Sequence, residues 1–172
     1  IVAKTLKDRG LSAEDALQRA FGGIEPETAA ATHPKGKKSL ELLTEITRLS
    51  LERLYDFQHA DGGYGWWKQG DADAWMTAYV VWGLALARDA GLDVDANRLA
   101  RSAEWLKKAL VEAEDAPELQ AWELHALAAW SKDARESELV DRAIQNLWAK
   151  KDGLNAYGRA LYALACQGFG RT

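Results

Sequence analysis

The chain has 172 residues, of which 48% are hydrophobic and 28% charged, and its formal net charge is −4. That is the composition of a folded globular protein long enough to bury a core, so we expect one domain over residues 1–172. Acidic and basic residues are interspersed and the longest apolar run, residues 75–87, is shorter than a bilayer is thick, so neither nucleic-acid binding nor membrane insertion is expected.

The first 38 residues hold short helical patterns and then a region that breaks them. Residues 1–9 read as the end of a helix stopped by Gly10, and a short helix follows as far as residue 21. Residues 22–38 contain paired glycines and two prolines, which predicts a long loop. The lysines beside Pro34 could contact a neighbouring domain, although such clusters are commonly solvated.

The next segments alternate between two-faced and apolar helices. Residues 40–57 carry apolar positions at helical spacing, and residues 74–89 are apolar on nearly every side, which predicts a helix enclosed by others. Asp95 is a predicted N-cap of a helix with one apolar stripe. The pattern continues with an apolar segment at 121–130, a two-faced one at 135–151 and an apolar one at 156–165.

The three apolar helices are diverged internal repeats. They can be overlaid as AYVVWGLALA, AWELHALAAW and AYGRALYALA, beginning at Ala78, Ala121 and Ala156. Each copy places an aromatic residue directly after its first alanine, and small residues recur that would let helices approach closely. We therefore predict an all-α fold, an incomplete α/α toroid with an inner barrel of apolar helices inside an outer ring. An open helical solenoid would give a similar pattern.

Two neighbouring stretches carry a family resemblance. Residues 51–67, LERLYDFQHADGGYGWW, resemble the helix-end motif of α/α toroids, which terpene cyclases, prenyltransferases and thioester domains share. Residues 71–81, DADAWMTAYVV, resemble the Trp-Leu-Thr-Ala-Tyr-Val stretch of α2-macroglobulins and complement components. Together they are similar to the thioester domain of bacterial α2-macroglobulins.

The resemblance implies a function for the longer polypeptide. In this family a Cys-x-Glu-Gln motif forms an internal thioester that captures a protease covalently. The sequence lacks that motif, and we expect a fragment that starts downstream of it, with no thioester or catalytic residue of its own. The expected role is a scaffold within a secreted or periplasmic protease trap, not an enzyme, with no cofactor. Its expected partners are target proteases and neighbouring domains.

The aromatic corner of the motif is the candidate site. Its residues could shield a neighbouring thioester from water, or they could form a structural turn in which glycines permit the bend and aromatics fill one end of the barrel. The residues concerned are Asp61, Gly62, Gly63, Tyr64, Gly65, Trp66, Trp67, Trp75 and Tyr79.

Two other function classes stay open from the sequence. A toroid enzyme of the terpene-cyclase or polysaccharide-lyase type would use paired carboxylates, and Asp71 and Asp73 are candidates, although helix capping is the simpler role for one of them. The cyclase motif would need a second acid where Ala74 stands. The other alternative is a helical-repeat module for protein interaction, without chemistry.

The remaining reactive side chains are assigned structural roles. Cys166 is the one cysteine, and its spacing to Gln167 does not reproduce the thioester motif. His125 is interpreted as a satisfied core histidine, and the three histidines and the cysteine show no spacing that implies a metal site. The eight tryptophans are expected mainly to fill the core.

Overall fold

The structure is a computed structural model that describes residues 40–171, apart from the side chains of 40–44, 132 and 135. The helices predicted before residue 22, the predicted loop 22–38 and its lysines lie outside the described residues. Contacts divide the chain into two compact units, Ile1–Arg53 and Leu54–Thr172. The expectation of a single domain over 1–172 stays a prediction.

The described part is built from α-helices. They are α1 (Leu40–Tyr55), α2 (Ala74–Asp89), α3 (Ala96–Glu112), α4 (Pro117–Trp130), α5 (Glu138–Ala149) and α6 (Ala156–Gly168), with 3₁₀ turns at Ala113–Asp115 and Lys132–Glu136. Residues 40–171 contain no strand, and an isolated antiparallel bridge joins Gln58 to Tyr64. The predicted all-α class is confirmed, whereas closure into a toroid stays a prediction.

None of the helices in residues 40–171 combines the length and the apolar character needed to cross a membrane.

The described part of the first unit is residues 40–53, most of α1. There Arg48 forms ion pairs with Glu45 and Glu52 on the exposed helix surface. Exposed pairs of this kind contribute little to stability.

The helix ends follow from local chemistry. Asp73 accepts a hydrogen bond from the Met76 amide, and Asp95 accepts from the amides of Asn97 and Arg98, so both aspartates cap their helices. The cap at Asp95 was predicted, and of the candidates Asp71 and Asp73 it is Asp73 that caps α2. Asn155 caps α6 in the same way. After α2 the chain reverses through Gly91 at φ 89°, with the Leu92 amide bonded to the Ala87 carbonyl, a Schellman ending that favours glycine.

Helix α4 lies at the centre of the second unit. It packs against α2, α3, α5 and α6, and the repeat helices α2, α4 and α6 therefore lie side by side with α4 in the middle. The two-faced helices α3 and α5 pack against α4 and against each other, and α3 does so through its predicted apolar stripe. The stripe expected in α5 was Leu139, Ala143, Ile144 and Leu147, but its buried residues are Val140, Ala143 and Leu147. Each fully buried leucine of the α3 stripe contributes roughly 1.5–3 kcal/mol.

The expectation that apolar helices are enclosed on every side is wrong for α2. Buried positions from Thr77 to Ala85 face α3 and α4, but Trp75, Tyr79 and Gly83 on the remaining face are exposed. Helix α6 likewise exposes Tyr157 and Leu164. The apolar residues of α2 could not by themselves reveal this, because burial depends on how many neighbouring helices surround a helix and α2 packs mainly against two.

Candidate functional site

The chain leaves α1 through a tight glycine turn, residues 58–65. The His59 amide donates to the Gly63 carbonyl at 2.9 Å, and the Gly62 amide donates to the His59 carbonyl at 3.0 Å. Gly62 has φ 101°, and a Cβ there would lie 2.7 Å from the Arg101 carbonyl oxygen. Both the backbone angle and the space therefore require glycine.

Gln58 fastens the glycine turn to α3. Its Nε2 donates to the Arg98 carbonyl and to Ser102 Oγ, both at 2.8 Å. Ser102 is fully buried, and its hydroxyl donates to the Gly62 carbonyl at 2.7 Å. On the outer side of the turn, Asp61 accepts a hydrogen bond from Trp105 Nε1 at 3.0 Å. Gln58, Ser102 and the Gly62 carbonyl are thus paired within the chain, as burial of polar groups requires.

Tyr64 fastens the other end of the turn to α2. Its amide donates to Thr77 Oγ1 at 2.8 Å, and the Thr77 hydroxyl donates back to the Tyr64 carbonyl at 3.2 Å. The ring is buried, its hydroxyl has no hydrogen-bond partner among the described residues, and this burial raises the pKa of Tyr64 to about 12. Tyr64 is therefore a neutral core side chain at physiological pH.

The structure divides the predicted site in two. Gly62, Gly63, Tyr64 and Gly65 are buried in the turn, whereas Trp66 and Trp67 are 63% and 77% exposed. Trp66 faces the same space as Trp75 and Tyr79, while Trp67 stands apart from it. The expectation that the tryptophans fill the core is therefore wrong for Trp66, Trp67, Trp75 and Trp148, all of which are exposed.

The space shared by Trp66, Trp75 and Tyr79 is an aromatic groove of about 750 Å³. It lies on the exposed side of the repeat helices α2, α4 and α6. Among residues 40–171, no aspartate, glutamate, lysine or arginine lines it. The lining residues are Trp66, Trp75, Met76, Tyr79, Trp82, Trp122, His125, Tyr157 and Leu161.

Trp122 of α4 is the centre of the groove wall. Its ring lies 5.4 Å from that of Trp75 in an edge-to-face arrangement and 5.8 Å from that of Trp82, measured between centroids. These are favourable aromatic geometries. The indole nitrogen donates to the Trp75 carbonyl at 3.3 Å, which ties α4 to the start of α2. Trp122 is 6% exposed, so it is the one lining tryptophan that belongs to the core.

His125 is the one histidine among the described residues that line the groove. The ring stacks on Trp122 with centroids 6.0 Å apart, and burial lowers the pKa of His125, so the imidazole is neutral at physiological pH. Its Nδ1 is buried and has no hydrogen-bond partner in the described part of the chain. The interpretation of His125 as a satisfied core histidine is therefore wrong, because a neutral imidazole with a free ring nitrogen can still donate or accept a hydrogen bond.

The sequence contained a signal for the groove residues that motif matching missed. Tyr79, Trp122 and Tyr157 occupy the same position in the three repeats, directly after the first alanine, and all three line the groove. Trp82 and His125 are equivalent to each other three positions later. Because the repeat helices lie side by side, equivalent positions converge on one surface.

Asp71 and Asp73, the candidates for paired carboxylates, do not converge on one site. Asp73 is occupied as the cap of α2, and Asp71 lies in a separate polar depression beside Gln58 and Lys68. Residues 40–171 contain no cluster of three His, Cys, Asp or Glu side chains that could hold a metal ion. Cys166 is a free, half-buried cysteine on α6.

Comparison with known proteins bears on the first part of this arrangement. Residues 28–113, which are half of the chain, match the family model described as the A-macroglobulin TED domain. The chain belongs to the thioester-domain (TED) family of the α-macroglobulins. The match includes the glycine turn and both walls that α2 and α3 give it, and it stops before the groove residues of α4 and α6.

A similar protein in Thermotoga maritima agrees with that assignment. That protein is named Alpha-2-macroglobulin, and it is 45% identical over 95 residues. The aligned region covers 55% of this chain but only 6% of that protein, so the chain corresponds to a small part of a much longer polypeptide. No solved structure matches the chain.

Proposed function

We propose that this chain is the scaffold and shielding part of the thioester domain of a secreted or periplasmic protease trap. In this proposal the thioester lies outside the chain and captures a protease when a lysine of that protease attacks it. The capture is stoichiometric, so the domain is not an enzyme and needs no cofactor. Its partners are target proteases, reached through the longer polypeptide, and the neighbouring domains of that polypeptide.

The observation that carries the proposal is the uncharged aromatic groove that begins at the family motif. A thioester is an activated acyl group that water destroys, so a domain that keeps one must exclude water from it. Aromatic side chains without charged neighbours hold little water. Trp66, Trp75 and Tyr79 come from the matched region and supply one wall of that surface.

The glycine turn supports a second element of the proposal, the scaffold. Hydrogen bonds from Gln58 and Thr77 hold the turn against both α3 and α2. That fixes the backbone immediately before Trp66. A shield works only if its side chains stay in place, so we assign the turn a positioning role and Trp66 the contact role.

The alternative of a cyclase or lyase has less support. Such an enzyme needs convergent carboxylates to protonate or deprotonate its substrate. Within residues 40–171 the aromatic groove has no acidic lining residue, and Asp73 is engaged in capping.

The test uses the longer polypeptide that contains this chain. If its upstream part encodes Cys-x-Glu-Gln, methylamine should add to the glutamine and release one titratable thiol. The shield is then probed with Trp75→Ala and Tyr79→Ala, and Trp148→Ala is the control because Trp148 is also an exposed aromatic residue but lies outside the groove.

We expect both groove variants to release the thiol spontaneously several times faster than the unmodified protein and to capture less protease in denaturant-resistant complexes. The Trp148 variant should behave as the unmodified protein does. Absence of a methylamine-sensitive thiol would reject the trap, and unchanged thiol release in both groove variants would reject shielding while leaving the family assignment intact.

A further inference from the structure

Helix α4 carries two buried polar side chains one turn apart, Gln120 and Glu123. Gln120 is fully satisfied, since its Nε2 donates to the Leu110 carbonyl at 2.7 Å and its Oε1 accepts from Asn146 Nδ2 at 2.7 Å. Glu123 is 0% exposed, and neither of its carboxyl oxygens has a hydrogen-bond partner among the described residues. A buried carboxylate without a partner is among the costliest groups a fold can hold.

The electrostatic surroundings of Glu123 destabilise its ionised form further. Of the charged side chains on the helices packed against α4, the one that acts on Glu123 is Glu112 of α3, which is also acidic. No cation of the described residues is among the groups that act on Glu123. Most cations on these helices have partners elsewhere: Arg88 with Asp89, Arg98 with Asp95, Arg101 with the Ala60 carbonyl, Lys107 with Glu104, Arg142 with Glu114, and Arg159 with the Leu154 carbonyl.

Burial and, to a smaller extent, the charge of Glu112 raise the pKa of Glu123 to about 8. In the unfolded chain the same side chain ionises in the ordinary acidic range. The folded protein therefore binds one proton more than the unfolded chain between those two values. Folding stability must fall as pH rises through that interval, and the loss is complete only above the folded value.

The position of Glu123 links this proton to the aromatic groove. Trp122, directly before it, is the centre of the groove wall, and His125, two residues after it, also lines the groove. A carboxylate at 123 can find water only if α4 shifts or turns relative to α3. Such a movement displaces Trp122 and His125, because they are on the same rigid helix.

We propose that Glu123 is a proton-controlled switch. It is protonated while α4 is packed, alkaline solution removes its proton, and its ionisation rearranges the aromatic groove. The switch is independent of the proposed function, since it concerns this chain alone and needs no thioester. It makes the groove most ordered in neutral to mildly acidic solution.

The test follows tryptophan fluorescence and near-ultraviolet circular dichroism of the 172-residue chain from about pH 6 to about pH 9.5, below the ordinary tyrosine range. We expect one reversible transition with a midpoint near pH 8. His125 does not interfere because its pKa is lowered, and Tyr64 does not because its pKa is about 12.

Three variants assign the transition. Glu123→Gln should abolish it, since the amide is the neutral isostere of the protonated acid. Glu112→Gln should keep it and move its midpoint to lower pH, because a like charge is removed. Glu118→Gln, a change of the same chemistry on the same helix, should leave it unchanged.

Infrared spectroscopy of the unmodified chain provides a measurement that does not depend on a variant folding. A protonated carboxylic acid has a carbonyl band distinct from that of carboxylates, and it should persist at pH 7 and disappear with the optical transition. The proposal is wrong if that band is absent at pH 7, if the unmodified chain shows no transition, or if Glu123→Gln retains it.

Discussion

The glycine turn and the first residues of the aromatic groove are consecutive in one sequence motif, yet turn and groove are built in opposite ways. In the turn, Gln58, Ser102 and Thr77 bind the backbone of Gly62 and Tyr64, and residues 62–65 are buried. In the groove, large apolar rings remain exposed, and the ring nitrogen of His125 is left without a partner among the described residues.

The difference separates a structural role from a binding role within the motif. Groups that are buried and paired inside the chain contribute to folding, whereas uncovered aromatic surface contributes little to it and is typical of a surface that meets another molecule. We therefore propose that the two interpretations of the predicted site, shield and structural turn, apply to different residues. The predictions below test that division through the free energy of unfolding.

The largest effect is expected at Gly62. A methyl group there would lie 2.7 Å from the Arg101 carbonyl oxygen, on a backbone at φ 101°, so Gly62→Ala should lower the free energy of unfolding by about 2–4 kcal/mol. Gly83→Ala is the matched control, since Gly83 is an exposed position inside α2 with no atom within 4 Å of the added methyl. It should stabilise the protein by about 0.5–1 kcal/mol.

Urea unfolding of both variants measures the difference. Equal stability of the two alanine variants would show that the turn can relax around an added methyl. The turn would then lose its status as a fixed structural element, and the contrast with the groove would weaken.

An intermediate effect is expected at Thr77. Thr77→Val keeps the shape but leaves the buried Tyr64 amide unpaired, while the Tyr64 carbonyl keeps its hydrogen bond from the Asp73 amide, so the change should cost about 1–3 kcal/mol. Thr77→Ser keeps the hydroxyl and removes one methyl, so its cost should be about 1 kcal/mol or less. If the serine variant is the less stable of the two in the same urea measurement, packing and not hydrogen bonding joins the turn to α2.

Much of the fold could be predicted because it depends on local chemistry. The bounds of α2 at residues 74–89 and the caps Asp73 and Asp95 follow from helical periodicity and from the geometry of an aspartate before a helix. In α5, however, Val140 is buried where Leu139 was expected. Both residues have helical spacing to Ala143 and Leu147, so the pattern alone could not choose between them.

The site was predicted only where it lies within the motif. Trp66, Trp75 and Tyr79 were named from the resemblance, but Trp122 and Tyr157 come from later helices and join them through tertiary packing. Exposure was not predictable either, since the apolar character of Trp75 and Tyr79 suits a core or a surface groove equally well. The alignment of the three repeats indicates which later residues join the groove, because it places Trp122 and Tyr157 at the position of Tyr79.

The smallest effect on stability is expected at Trp66. The side chain is 63% exposed, so Trp66→Ala should change the free energy of unfolding by less than about 0.5 kcal/mol. Trp148→Ala is matched in exposure at 61% and lies outside the groove, although Lys151 covers one face of its ring. Urea unfolding compares the two, and acrylamide quenching of the remaining tryptophans reports the groove. Loss of Trp66 should open Trp75 to the quencher, whereas loss of Trp148 should not.

A cost above about 1 kcal/mol for Trp66→Ala would mean that Trp66 is packed like a core residue. The groove would then belong with the turn as part of the folded scaffold.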